Sequence, residues 1–185
     1  MTKPAGPERD KALVDLKKWV EVAAKLGAGH IRVFGGAIPK GRSEAAAADS
    51  VAEMLGPASE FAGKHGIILG LENHGGVTDR AETIVKIVKK VNSPWVGINL
   101  DTGNFKTRIY EQIEMIAPYA VNVQAKAMVK DENGVAPSDW DRVAKMLVAN
   151  QYRGYLALEY EETDSALVAT PPLFKKLREV CARHS

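Results

Sequence analysis

Four residues of this 185-residue chain have types and positions suited to moving protons or holding a hard cation: Glu72, Asp101, Gln124 and Glu159. Each closes, or nearly closes, a short aliphatic run: Ile67–Glu72, Val96–Asp101, Ala120–Lys126 and Tyr155–Glu159. A strand that ends in an acid and opens into a loop is how an α/β enzyme places a working residue at the mouth of its sheet. One such acid says little, because an acid at a strand end is more often a cap or half of a surface ion pair. Their parity makes the set informative. Side chains alternate faces along a strand. Glu72 shares a face with Gly70 and Ile68, Asp101 with Asn99 and Gly97, Gln124 with Asn122 and Lys126, and Glu159 with Ala157 and Tyr155. The other parity carries Leu69, Leu71, Ile98, Leu100, Val121, Val123, Leu156 and Leu158, and in an earlier run Ile31 and Val33. Each strand therefore has an aliphatic face for helices and a smaller or more polar face for an interior. Two or three carboxylates and an amide oxygen converge at one mouth. Carboxylates that close repel unless a cation sits among them, and oxygen ligands of this kind suit Mg²⁺ or Mn²⁺.

Other polar residues fall around that mouth. Lys126 has interior parity and is placed to contact substrate or a carboxylate. Arg32 is expected as a buried partner of an interior acid. His74 follows Glu72 in the loop Asn73–Gly76, where it either supports a carboxylate or contacts substrate. His30 and His65 lie at the opposite ends of their strands, and His184 is in a tail expected to fray. Beyond Glu159, the acids Glu161, Glu162 and Asp164 read as solvated.

The elements that position these residues alternate along the chain. A helical pattern over Glu8–Leu26 puts Leu13, Leu16, Val20 and Ala23 on one face, with Trp19 and Ala24 beside them. Gly27 is placed to end it in a left-handed turn. The strand His30–Phe34 follows, then an alanine-rich helix over Glu44–Lys64 that Gly56-Pro57 should disturb. Thr78 is the expected cap of a helix with Ala81, Ile84, Val85, Val88 and Val91 on its apolar face. A short helix spans Ile109–Ile116, a polar loop contains Asp131, Asn133 and Gly134, and Ser138 is the expected cap of a helix carrying Trp140, Val143, Ala144, Leu147 and Val148. Thr170-Pro171 should start a closing helix with Phe174, Leu177 and Cys181 turned inward. Residues 1–7 should fray. Such alternation predicts a parallel sheet with right-handed crossovers. Five strands are found where a closed (β/α)8 barrel needs eight.

A composition of 45% hydrophobic and 26% charged residues suits one domain, 1–185, with a sizeable core. The formal net charge of +2, with basic and acidic residues interspersed, excludes the basic stripe of a nucleic-acid binder. The single cysteine excludes a disulfide framework and a cysteine metal cluster. No signal peptide and no bilayer-length apolar run is present, so a cytoplasmic protein without membrane partners is the default.

Four stretches together resemble the sugar phosphate isomerase/epimerase family of xylose isomerase-like TIM barrels: Ile31–Gly36, Leu71–Gly75, Asn99–Phe105 and Leu158–Glu161. The combination is specific for the family and not for one activity. The resemblance implies a metal-dependent sugar or sugar phosphate isomerase or epimerase, working by proton transfer α to a carbonyl through an enediolate. Glu72, Asp101 and Glu159 match three of the family's four metal positions. The fourth, commonly the second histidine of a His-x-His-x-Lys-Asp strand, is Gln124 here, and Ala127 stands in place of the aspartate. Asn104 takes a position where some epimerases carry a substrate-binding histidine. Glu72 and Glu159 would flank the substrate as its acid and base. The five strands match the fourth to eighth of the family barrel, so an incomplete barrel is expected, closed or covered by a homodimer partner. The competing reading is a catalytically silent assembly unit. Endonuclease activity, which needs several imidazole ligands and a basic groove, is excluded by four scattered histidines and near-neutral charge.

Overall fold

The computed structural model describes residues 1–184. Helix α1 (Pro7–Lys25) leads into β1 (His30–Phe34), followed by α2 (Glu44–Lys64), β2 (Ile68–Glu72), α3 (Ala81–Val91), β3 (Val96–Asp101), α4 (Ile109–Ile116) and β4 (Ala120–Lys126). A hairpin, β5 (Met128–Asp131) with β6 (Gly134–Pro137), precedes α5 (Trp140–Ala149), β7 (Leu156–Glu159) and α6 (Ala166–Arg183). β1, β2, β3, β4 and β7 lie side by side in that order and run parallel. This is the expected five-stranded α/β sheet. Register brings the polar strand ends level, with Asp101 beside Gln124 and Lys126 beside Glu159.

The aliphatic parity forms the core. Leu69, Leu71, Ile98, Leu100 and Val123 are fully buried, in one cluster with Val51 and Leu55 of α2, Ile84 and Ile87 of α3, and Ile113 of α4. Each such side chain contributes about 1.5–3 kcal/mol by leaving water. The polar parity needs no such partner, so it is free to build a site.

Val121 departs from the pattern. Ile98 pairs with Ala120 but Asn99 with Asn122, so Val121 is the extra residue of a bulge. Its side chain lies against Gly97 and Gly70, on the polar face rather than with the aliphatic one. Pro57 does not disturb α2, which runs unbroken for 21 residues. Gly56 offers no Cβ for the proline ring to meet, and Ser59 Oγ donates to the Gly56 carbonyl at 2.8 Å.

Several ends differ from expectation because distant groups supply the bonds. Thr78 Oγ1 accepts from His74 N and donates to the Gly75 carbonyl, closing the glycine turn instead of capping α3. The first N–H of α3, on Ala81, instead donates to Oε1 of Gln112 on α4. Asp139, not Ser138, caps α5 by accepting from Arg142 N. The stretch expected as a polar loop is the β5–β6 hairpin. Helix α6 begins at Ala166, ahead of Thr170-Pro171, and buries Leu177 and Val180 while Phe174 and Cys181 face outward. Trp19 is likewise on the outside of α1. Thr2 and His184 are held in place instead of lying in frayed ends. Thr2 is buried and donates to the Ala37 carbonyl at 2.6 Å, and His184 Nε2 lies 2.9 Å from Asp141 Oδ1. Among the described residues no helix is long and apolar enough to cross a membrane.

Candidate active site

The C-terminal ends of β2, β3, β4 and β7 meet at one mouth. Glu72 and Asp101 are 1% and 0% exposed, and Glu72 Oε2 and Asp101 Oδ2 are buried without a hydrogen-bond partner. Burial pushes the pKa of both carboxyls upward, Asp101 to about 7. For Glu72 the charges of Arg32 and His74 oppose the rise, and for Asp101 the Gly103 N–H, which donates to its Oδ1 at 2.7 Å, does so. Arg32 Nε lies 3.5 Å from Glu72 Oε2, so it partners the acid as expected, but it is 43% exposed rather than buried.

His74 closes the outer side of Glu72, its Nδ1 3.6 Å from Oε1, with its ring edge-on to Phe34 at a centroid separation of 4.7 Å. Asn104 Nδ2 lies 3.3 Å from His74 Nδ1 and 3.5 Å from Glu72 Oε1. The glycine turn after His74 requires its glycines. Gly76 has φ +58°, and a Cβ there would lie 2.4 Å from the Gly36 carbonyl oxygen.

Lys126 stands on the far side of Asp101. Its Nζ lies 3.7 Å from Asp101 Oδ2 and 3.5 Å from Glu159 Oε2, and it donates to Glu161 Oε2. Glu161 is thus part of the site, not merely solvated. Burial works to lower the Lys126 pKa, but the bond to Glu161 and the charges of Asp101, Glu159 and Glu161 outweigh it and raise the value. A cleft of ≈ 270 Å³ opens here, between Lys126, Glu159, Asn104 and Val135 of the hairpin.

An amide chain runs beneath these charges. Asn122 Nδ2 donates to Asn99 Oδ1 at 2.9 Å, Asn99 Nδ2 donates to Gln124 Oε1, and Gln124 Nε2 donates to Glu159 Oε2 at 2.8 Å. Asn73 ties β2 to β3, its Nδ2 donating to the Asp101 carbonyl at 2.8 Å and its Oδ1 accepting from Asp101 N at 2.7 Å. Asn99 and Asn122 have the interior parity, which was the available signal for them. Asn73 lies past a strand end, where parity lapses, and nothing in its spacing marks it.

The donor set can be tested against the expected divalent metal. All its atoms are oxygens, and the two unpartnered carboxylate oxygens are what a hard cation would satisfy. By donor chemistry the acids fit. Gln124 fits only with its amide reversed, since its oxygen already serves Asn99. Among the described residues, however, no three His, Cys, Asp or Glu side chains are gathered closely enough to hold a metal as they stand. The positive charges beside them are the Arg32 guanidinium, 3.5 Å from Glu72 Oε2, and the Lys126 ammonium, 3.7 Å from Asp101 Oδ2.

The chain matches the profile described as the xylose isomerase-like TIM barrel over residues 1–183. No curated relative matches it. Among solved structures it is similar to a D-tagatose 3-epimerase-like protein (20% identity, TM-score 0.74), covering 95% of this chain and 71% of that one. It is similar to the IOLI protein with a binding zinc atom (16% identity, TM-score 0.76), covering 98% and 72%. A third is a xylose isomerase-like TIM barrel protein from Mycobacterium smegmatis in complex with magnesium (19% identity, TM-score 0.72), covering 95% and 69%. These likenesses establish the fold, and the profile establishes the lineage: the chain belongs to the xylose isomerase-like TIM barrel family.

Proposed function

We propose that the chain is a sugar or sugar phosphate isomerase or epimerase that moves a proton on the carbon α to a carbonyl. The observation that carries this reading is that two carboxylates, Glu72 and Glu159, open onto one mouth and feel each other's charge, with the Lys126 ammonium 3.5 Å from Glu159. Glu72 is enclosed and its burial favours the protonated acid. Glu159 is more open and accepts from Gln124. One acid and one base facing the same carbon can remove a proton from one face and return it to the carbon or its neighbour. Lys126 contacts a substrate oxygen from the Glu161 side of the mouth. His74 and Asn104, on the rim by Glu72, contact sugar hydroxyls.

Glu72, Asp101 and Glu159, with Gln124 once its amide is reversed, would hold Mg²⁺ or Mn²⁺. When bound, such an ion supplies Lewis-acid polarisation of the carbonyl. Support for the reading also comes from neighbours described as epimerases, among them a D-psicose 3-epimerase and a 3-keto-D-glucoside 4-epimerase.

The test is solvent exchange. A panel of ketoses and their phosphates, incubated with the protein and Mn²⁺ in heavy water, should show deuterium on the carbon α to the carbonyl for at least one sugar. No exchange across the panel would remove the reading in favour of a catalytically silent assembly unit, which the two sheet edges left unpaired among the described residues favour.

A further inference from the structure

We propose that Lys126, tethered by Glu161, is a built-in cation that keeps the place of the divalent metal and sets how readily metal enters, with Glu161 as its positioning residue. The inference deepens the reading above and rests on it for the nature of the incoming cation.

The geometry of Lys126 carries it. Nζ faces the unpartnered Oδ2 of Asp101 and the Oε2 of Glu159, two of the oxygens a metal would take. It is held there from both ends. Its N–H donates to Thr102 Oγ1 at 2.9 Å, and its carbonyl accepts from Trp140 Nε1 at 2.9 Å. The stem passes over Gly103, where a Cβ would lie 2.7 Å from Lys126 Cδ. At the tip, Glu161 accepts from Nζ and is 61% exposed, while the lysine side chain is only 13% exposed. Glu161 therefore draws the ammonium toward the rim as the inner carboxylates draw it in.

Two cations cannot share those oxygens at little cost, since like charges a few ångströms apart repel strongly away from bulk water. The carboxylates are also not gathered into a metal-sized cage. A lysine standing among them accounts for both features. Metal entry then requires the ammonium, still bonded to the exposed Glu161, to swing outward with it toward the rim, and the acids to close behind it. Removing the lysine should favour metal. Removing the tether should leave the lysine to the inner acids alone and disfavour metal.

The experiment is calorimetric titration of the EDTA-stripped chain with Mn²⁺, for the wild type, Lys126→Met, Glu161→Gln and the double variant. Lys126→Met should bind Mn²⁺ at least about tenfold more tightly than the wild type, and Glu161→Gln several-fold more weakly. In the double variant the Glu161→Gln penalty should disappear, because it acts through Lys126. Lys126→Gln replaces the methionine variant should circular dichroism show that one unfolded. Unchanged or weaker binding without the lysine overturns the proposal, as does a Glu161→Gln penalty of full size in the Lys126→Met background. So does absence of Mn²⁺ binding at millimolar concentration in all four proteins. These outcomes are read without substrate. A chain that follows the affinity pattern yet exchanges no deuterium loses the isomerase reading and keeps this one.

Discussion

At the scale of single residues, Glu159 separates chemistry from structure most cleanly. It is partly exposed, its Oε2 accepts from Gln124, and it lies 3.5 Å from the Lys126 ammonium. Glu159→Gln keeps the shape and one acceptor oxygen for Gln124 but removes the charge and the basicity. The expected outcome is a loss of proton exchange of about 10²–10⁴-fold, with Mn²⁺ still bound more weakly and the urea midpoint little moved. Undiminished exchange with a substrate the wild type turns over would show that Glu159 is not the acid/base partner of Glu72. What the sequence reveals at this scale is position, and what it hides is orientation. Parity alone places Glu72, Asp101, Gln124, Lys126 and Glu159 on one face. It says nothing of Gln124 turning its N–H toward Glu159, which depends on Asn99 and Asn122 lining up behind it. The role of Glu161 is hidden for the same reason. It lies two residues past Glu159, beyond the last strand, and only the reach of Lys126 brings it into the site.

At the scale of elements, periodicity makes strands and most helices legible, because a buried face must repeat at 2 or 3.6 residues. Ends are less so. The caps expected from Thr78 and Ser138 are local assignments, whereas α3 is completed by Gln112 from another helix. The β5–β6 hairpin is missed because its strands are only four residues long, β6 is exposed throughout, and neither strand carries an apolar alternation. The bulge at Val121 is a further non-local feature with a measurable consequence. It exists because Gly97 leaves a space that Val121 fills on the polar face, near the start of the strand that ends at Asp101. A Cβ at Gly97 would lie 2.2 Å from Val121 Cγ1 and 2.9 Å from the Tyr119 carbonyl oxygen. Overpacking of this kind typically costs about 1–3 kcal/mol. Gly97→Ala should lower the stability read from urea unfolding by that amount, and Val121→Ala in the same chain should recover part of it. A Gly97→Ala protein as stable as the parent would mean that β3 and β4 shift apart freely and that the bulge does not fix the register beneath the site.

At the scale of the whole molecule, the sheet has two edges, β1 and β7, and among the described residues neither is paired on its outer side. Unpaired parallel edges flanked by apolar surface favour association. The helices beside them show that surface: Trp19 of α1 and Leu26 just past its end, next to β1, are 65% and 80% exposed, and Leu167 of α6 and Tyr155, which leads into β7, are 89% and 83% exposed. Charge differs in sign between the two edges near the mouth. Arg32 is exposed on β1, while Glu161, Glu162 and Asp164 follow β7. A two-fold axis along the strand direction would set β1 of one copy beside β7 of another, still parallel, and the second contact of the pair would be identical to the first. The expected species is therefore a dimer of twice the 20.0 kDa chain mass, measured by size-exclusion chromatography with light scattering at micromolar concentration. Leu167→Asp, which places a charge in that contact without touching the site, should shift the protein to the single-chain mass and leave Mn²⁺ affinity in place. A folded wild-type chain that elutes at 20.0 kDa throughout this range would rule the dimer out. The mouth formed by Glu72, Asp101, Lys126 and Glu159 would then be walled by these five strands alone.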